Sequence, residues 1–192
     1  TLLIQETLTN EEITSIYQTG YLPGQEPKVE EMVVAEVVET KEENNFKLTA
    51  AELRAALTPK TKLLVLPYPN NPTGAIMTRE DLVALEEVLR GTNVLILSDE
   101  IYAELTYGRE HCSCAAVPGL TERTILASGF SKAYAMTGWR VGYLIGPQAE
   151  MDRLLLLHAA EVAAVSTFIQ TACVTALQVD TAEMAETYKN RR

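Results

Sequence analysis

One lysine, Lys132, stands in a run of small and hydroxyl-bearing residues that suits chemistry by an amine. The run begins at Ser128 and ends at Arg140. Residues 124–127 before it and residues 141–146 after it are apolar, and they predict two buried strands. A lysine amine held between buried strands loses part of its preference for the charged form. It can therefore attack a carbonyl carbon and form an imine.

Two residues of the same run are suited to holding a phosphate group. Ser131 offers a hydroxyl, and Arg140 offers a planar guanidinium whose N–H groups match phosphate oxygens. A simpler interpretation is a lysine at a strand-to-helix turn and an arginine in a salt bridge. This run alone leaves both interpretations open.

A second candidate group follows residues 93–97, which have almost no polar side chains and predict a central strand of a parallel sheet. Asp99 and Tyr102 come next in the chain. Ligands of open α/β sheets bind beyond the carboxyl ends of the strands, so Asp99 is placed to meet a bound cation. The alternative for this segment is an acidic loop at the sheet edge.

A third candidate lies in the turn at residues 69–74, which follows a predicted buried strand at residues 62–66. The sequence of this turn is Pro-Asn-Asn-Pro-Thr-Gly. Two prolines and a glycine restrict its backbone, so the side chain of Asn71 is held in one direction. Taken alone, the segment is more typical of an ordinary turn.

In combination, and in their order along the chain, the motifs resemble those of the class I aminotransferases. These are fold-type I enzymes that use pyridoxal 5'-phosphate (PLP). The run around Lys132 is similar to the aspartate and aromatic branch, and the resemblance covers roughly residues 41–192. It implies that Lys132 forms a Schiff base with PLP and that Asp99 pairs with the protonated pyridine nitrogen. It also implies that Asn71 and Tyr102 contact the 3-oxygen of the cofactor.

The resemblance assigns the phosphate of PLP to Ser131 and Arg140. One position departs from the pattern, because Gly129 stands where these enzymes often have a serine that binds the phosphate. The aromatic residue that stacks on the cofactor ring has no clear match. Tyr17 and Tyr21 are the candidates for it.

The implied activity moves an amino group from an amino acid to a 2-oxo acid, with Lys132, Tyr102 and Asp99 as catalytic residues. The amine of Lys132 would carry the proton at the substrate α-carbon. A β-lyase or synthase on the same scaffold would use the same residues, and a non-catalytic remnant or dimerisation module is a further alternative. The resemblance also implies a homodimer, because class I enzymes build their active sites between subunits.

The elements that must position these residues alternate between strands and helices. This alternation predicts a three-layer α/β/α fold with a mostly parallel sheet, corresponding to an incomplete PLP-dependent transferase large domain. Capping boxes at Thr49–Glu52 and Thr78–Asp81 predict helices that run to Leu57 and to about Arg90.

The resemblance divides the chain into three stretches. Residues 1–40 form a poorly matched N-terminal segment of the large domain, residues 41–180 form the PLP-binding large domain, and residues 181–192 begin a linker to a small C-terminal domain. A phosphate-cradling loop and an arginine for the substrate carboxylate have no equivalent in the sequence. We therefore expect a piece of a longer enzyme.

The composition of the chain limits which partners it can bind and indicates its cellular compartment. Hydrophobic residues make up 47% of the 192-residue chain, and a formal net charge of −10 argues against nucleic-acid binding. Three cysteines are too few for a disulfide framework and predict a reducing, cytoplasmic compartment. The segment 111–114 contains a histidine and two cysteines, but the chain lacks the further ligands of a zinc site, so no metal is expected.

The most apolar segment, residues 154–179, contains His158 and Glu161. Ionisable residues are rare inside membrane spans, so the segment predicts a pair of buried or half-buried helices and no membrane association. The helical spacing of its apolar residues predicts that His158 is a core or interface residue without a catalytic role.

Overall fold

The structure is a computed structural model, and it describes residues 38–191. These residues form a four-stranded sheet in the order β1-β2-β3-β4. The strands are β1 (Leu63–Leu66), β2 (Leu95–Asp99), β3 (Thr124–Gly129) and β4 (Gly142–Ile145). The first three run parallel, and β4 runs antiparallel to β3. The predicted α/β fold with a mostly parallel sheet is confirmed, and so is the central place of β2.

The helices of the described residues flank and follow the strands. They are α1 (Ala50–Ala56), α2 (Arg79–Leu89), α3 (Gln148–Glu161), α4 (Thr167–Ala176) and α5 (Ala182–Arg191). Short 3-10 helices are formed by Glu42–Asn44, Cys114–Ala116, Thr121–Arg123 and Thr137–Trp139. Both predicted capping boxes are present, and they begin α1 and α2.

The core lies between α1, α2 and the first two strands. Leu82, Leu85 and Leu89 recur on one face of α2, and each is only 1% exposed. They belong to the same buried cluster as Leu66 of β1 and Ile96 of β2. This packing fixes the ends of β1 and β2, from which the candidate residues emerge.

The two outer strands of the described sheet are more exposed than their sequences suggest. Leu63 and Val65 of β1 are 45% and 50% exposed, and Leu144 and Ile145 of β4 are 49% and 59% exposed. The predicted strands at residues 62–66 and 141–146 are therefore present. Their predicted burial is wrong for β4, and in β1 it holds at the end of the strand, where Leu66 is buried. Each outer strand has a neighbouring strand on one side in the described sheet, so less of it is covered.

The apolar segment 154–179 forms helices as predicted, but most of its side chains are exposed. Leu155, Leu156 and Leu157 follow one another directly and are 64%, 75% and 55% exposed. Consecutive residues point to different sides of a helix, so one packing partner cannot cover all of them. His158 is exposed too, so it is not a core residue; its alternative assignment to an interface stays a prediction. Within residues 38–191, none of the helices has the length and hydropathy needed to cross a membrane.

Candidate active site

The candidate residues follow the carboxyl ends of three adjacent parallel strands. Asn71 lies in the turn after β1, Asp99 is the last residue of β2, and Lys132 lies in the turn after β3. The carboxyl ends of parallel strands meet at one edge of a sheet. Residues that are far apart in the sequence are therefore neighbours at this edge.

Asn71, Tyr102 and Lys132 form one cluster. The Nδ2 atom of Asn71 donates a hydrogen bond of 3.2 Å to the hydroxyl of Tyr102. The Nζ atom of Lys132 lies 5.3 Å from the centre of the Tyr102 ring, within the range of a cation–π contact. Tyr102 lies three residues after the end of β2, and its side chain links the turn after β1 to the turn after β3. An amide, a phenol and an amine meet here.

Asn70 organises the turn that presents Asn71. Its Oδ1 atom accepts hydrogen bonds from the backbone N–H and the hydroxyl of Thr73, at 3.3 and 2.8 Å. Arg109 donates to the carbonyl of Gly74 over 2.8 Å and ties the same turn to a distant loop. The sequence contains a signal for Asn70, because asparagine often bonds the backbone two or three residues on. It contains none for Arg109, whose partner is distant in the chain.

Asp99 is half-buried, and its carboxylate is oriented by the backbone two residues further along the chain. The Oδ1 atom accepts a hydrogen bond of 3.2 Å from the N–H of Ile101. Among the ion pairs formed within residues 38–191, none involves Asp99. The carboxylate is therefore oriented, and a cationic ligand can pair with it.

The turn that carries Lys132 is anchored by aromatic packing. The ring of Phe130, which is buried, lies 5.2 Å from the ring of Tyr134 and 6.1 Å from the ring of Tyr143. Ser131 lies in the same turn and is half-buried. Arg140 is exposed, has a φ of 51°, and donates from Nη1 to the carbonyl of Thr137 over 3.0 Å.

Two glycines explain the departure from the family pattern at Gly129. Gly129 and Gly142 are partners in the antiparallel pairing of β3 with β4. A Cβ atom added to Gly129 would lie 2.7 Å from the Cα atom of Gly142 and 2.9 Å from the carbonyl oxygen of Val141. Both neighbours are backbone atoms, so a serine at this position would have to push the strands apart.

The structure joins three of the predicted site residues directly and leaves the others nearby in the fold. Asn71 and Lys132 each contact Tyr102. In the part of the chain that the structure describes, Asp99, Ser131 and Arg140 form no hydrogen bond with that cluster; they lie on the same strand ends and the segment that follows β3. Tyr17 and Tyr21, the candidates for the stacking aromatic, lie outside the described residues, as does the N-terminal segment up to residue 37.

Comparison with known proteins identifies the family. Residues 29–192 match the family model described as aminotransferase class I and II. The chain belongs to this family. It is 40% identical to the aromatic-amino-acid aminotransferase 2 of Thermococcus litoralis over 161 residues, which are 81% of this chain and 41% of that relative. It is 41% identical to an aspartate aminotransferase of Musicola paradisiaca over 154 residues, which are 78% of this chain and 38% of the relative.

The fold agrees with solved aminotransferase structures. The aspartate aminotransferase of Thermotoga maritima matches with a TM-score of 0.77 at 37% identity, over 81% of this chain and 42% of that chain. The chain thus spans about two fifths of the length of the aminotransferases it matches. The predicted resemblance to the aspartate and aromatic branch and the predicted fold-type I large domain, incomplete in this chain, are both confirmed.

Proposed function

We propose that this chain carries the PLP-binding centre of an aminotransferase that moves an amino group from an amino acid to a 2-oxo acid. The observation that carries the proposal is the contact of Asn71 and Lys132 with Tyr102 at the strand ends. An amine alone would be unremarkable. An amine that shares a tyrosine with an oriented amide, in a chain of this family, is an arrangement suited to holding a reactive aldehyde.

The chemistry of the donor set supports PLP as the cofactor. The half-buried carboxylate of Asp99 suits a protonated ring nitrogen, the amide of Asn71 and the phenol of Tyr102 suit a ring oxygen, and the hydroxyl of Ser131 and the guanidinium of Arg140 suit a phosphate. When bound, PLP supplies an electron sink for negative charge at the substrate α-carbon.

Residues of the chain would bind the cofactor, transfer the proton and stabilise charge. The Nζ atom of Lys132 would bind the aldehyde of the cofactor and, once freed by the substrate, would move a proton from the substrate α-carbon to the cofactor. Asp99 keeps the proton on the ring nitrogen through its negative charge. Asn71 and Tyr102 orient the ring and stabilise negative charge on its oxygen.

The proposal extends to the assembly and the compartment. A homodimer in the cytoplasm is the arrangement implied by the resemblance and by the low cysteine content. Sedimentation of the purified chain is expected to give twice the mass of one chain, and a purely monomeric boundary would contradict the dimer.

A single-turnover experiment tests the proposed reaction. The chain is loaded with PLP, an amino acid is added, and the 2-oxo acid and free ammonia are measured together. Amino-group transfer predicts 2-oxo acid without ammonia, while a β-lyase would release both. A chain that binds no PLP would indicate the non-catalytic remnant.

A further inference from the structure

A buried carboxylate lies directly after Asp99 and is not among the predicted site residues. Glu100 is only 3% exposed. Its side chain accepts hydrogen bonds from Ser98 Oγ at 3.0 Å, Ser113 Oγ at 2.9 Å, Cys114 N at 3.1 Å and His111 Nε2 at 2.7 Å. The last three donors belong to residues 111–114, a segment far from β2 in the sequence. Among residues 38–191, no group of three or more potential ligands could hold a metal there.

The charge on Glu100 makes these hydrogen bonds strong. Burial raises the pKa of Glu100, but the hydrogen bonds from His111 and Ser113, the charge of His111 and the hydrogen bond from Ser98 outweigh it and bring the pKa below the ordinary value. The side chain is therefore an ionised carboxylate at neutral pH. A buried charge is costly unless it is fully paired, so the carboxylate holds its donors firmly.

The backbone of the same residue holds the segment that carries Tyr102. The N–H of Glu100 donates to the carbonyl of Ala127 on β3 over 2.9 Å, and its carbonyl accepts from the N–H of Ala103 over 2.9 Å. The hydroxyl of Ser128 donates to the same carbonyl over 3.4 Å. Glu100 therefore connects three parts of the fold: the segment 111–114, the end of β3 and the turn after β2.

Asp99 and Glu100 leave the strand in opposite directions. Side chains alternate between the two faces of a strand, so Ser98 and Glu100 face the segment 111–114 while Asp99 faces away from it. The direction of Asp99 is therefore coupled to how firmly Glu100 is held. The same coupling reaches Tyr102 through the turn that begins at the Glu100 carbonyl.

We propose that Glu100 is a positioning residue that anchors the segment 111–114 to the end of β2 and thereby fixes the directions of Asp99 and Tyr102. It touches neither cofactor nor substrate in this account. The proposal rests on the proposed function for the roles of Asp99 and Tyr102, and its test includes a measurement that needs no cofactor.

The test compares variants of Glu100 in the full chain. Glu100→Ala removes all of the side-chain hydrogen bonds. Glu100→Gln keeps an oxygen for the donors of Ser98, Ser113 and Cys114, and its amide can donate to Nε2 of neutral His111. His111→Ala is a milder change that removes one bond, for use if Glu100→Ala does not fold. Glu110→Ala is the matched control, since Glu110 is an exposed carboxylate beside the same segment.

Two readouts separate positioning from general stability. The first is the set of backbone amide NMR signals in the cofactor-free chain: that of Tyr102 in every variant, and that of Asp99 in His111→Ala, where the residue bonded to Asp99 is unchanged. The second is the affinity for PLP, together with the pH midpoint of the visible absorbance of bound PLP. We expect Glu100→Ala and His111→Ala to move these amide signals and the midpoint. We expect Glu100→Ala to weaken PLP binding roughly tenfold, the lower end of the loss seen when residues that orient metal ligands are removed. Glu100→Gln should restore most of the wild-type values, and Glu110→Ala should match the wild type.

The proposal is overturned if Glu100→Ala and His111→Ala lower the melting temperature but leave the amide signal of Tyr102, and in His111→Ala also that of Asp99, where the wild type has them. A wild-type chain that binds no PLP would contradict the proposed function instead. In that case the amide signals still decide whether Glu100 positions its neighbours.

Discussion

Tyr102 is the residue on which the candidate site converges. Its hydroxyl accepts from Asn71, and its ring faces the amine of Lys132. The two contacts use different parts of the same side chain. They can therefore be separated by substitution.

Tyr102→Phe keeps the ring under Lys132 and removes the hydroxyl. We expect PLP affinity to fall by roughly threefold to tenfold, because one hydrogen bond contributes about 1 kcal/mol. Asn71→Ala should lower the PLP affinity by a similar factor. The double variant, measured by PLP titration, should lose less than the sum, because both single changes remove the same hydrogen bond. Fully additive losses would show that the two side chains act separately.

Gly129 is a second position where one residue decides the local structure. Gly129→Ser would restore the serine common in the family, yet its Cβ would meet backbone atoms of β4. We expect the free energy of unfolding to fall by about 1–3 kcal/mol, the usual cost of overpacking, with no gain in phosphate affinity. Gly138→Ser is the control, because a Cβ there meets nothing within 4 Å. A variant with wild-type stability in denaturant unfolding and tighter phosphate binding would contradict this.

At the scale of elements, α2 covers the strands that present Asn71 and Asp99, and its start is set by a capping box. Thr78 accepts from the N–H of Asp81, and Asp81 accepts from the N–H of Thr78 and from Lys47. These contacts fix the end of the helix whose leucines fill the core.

Thr78→Ala should lower the free energy of unfolding by about 1 kcal/mol, because the helix loses its N-cap. Urea unfolding followed by circular dichroism measures this directly. Thr171→Ala makes the same change at an exposed position inside α4, where we expect a difference within about 0.5 kcal/mol. Equal effects at the two positions would mean that the cap does not stabilise the fold.

The Glu100 network makes the anchoring of residues 111–114 dependent on pH. Because the folded-state pKa of Glu100 lies below its ordinary value, the network contributes stability above the unfolded-state pKa, and this contribution is lost as the pH falls through the folded-state pKa. The melting temperature of the wild type should therefore fall on acidification below about pH 4.3, the ordinary pKa of glutamate. Glu100→Gln should show a shallower acid decline, and an identical decline would count against an ionised Glu100.

The helices that begin at capping boxes could be predicted from the sequence, because their signals lie within a few residues. The strand ends could be predicted too, since apolar runs stop at Asp99 and before Asn71. The burial of these elements could not be predicted, because the exposure of α3 and β4 depends on which distant parts of the chain cover them. Arg109 and Glu100 could not be singled out for the same reason, as their partners are distant in the sequence.

At the scale of the whole molecule, one sheet edge gathers the proposed site from separate parts of the chain. The chain spans about two fifths of the length of its aminotransferase relatives. Even so, it contains the strands, turns and packing that bring Asn71 and Lys132 into contact with Tyr102. The central claim is that this edge holds PLP through Lys132.

The most direct test is to add PLP to the purified chain, reduce it with borohydride and map the modified lysine by mass spectrometry. We predict visible absorbance before reduction and a stable cofactor adduct on the peptide that contains Lys132, both lost in Lys132→Ala. The control variant Lys60→Ala, at an exposed lysine, should behave as the wild type. An adduct that persists unchanged in Lys132→Ala, or spreads evenly over the surface lysines, would contradict the account.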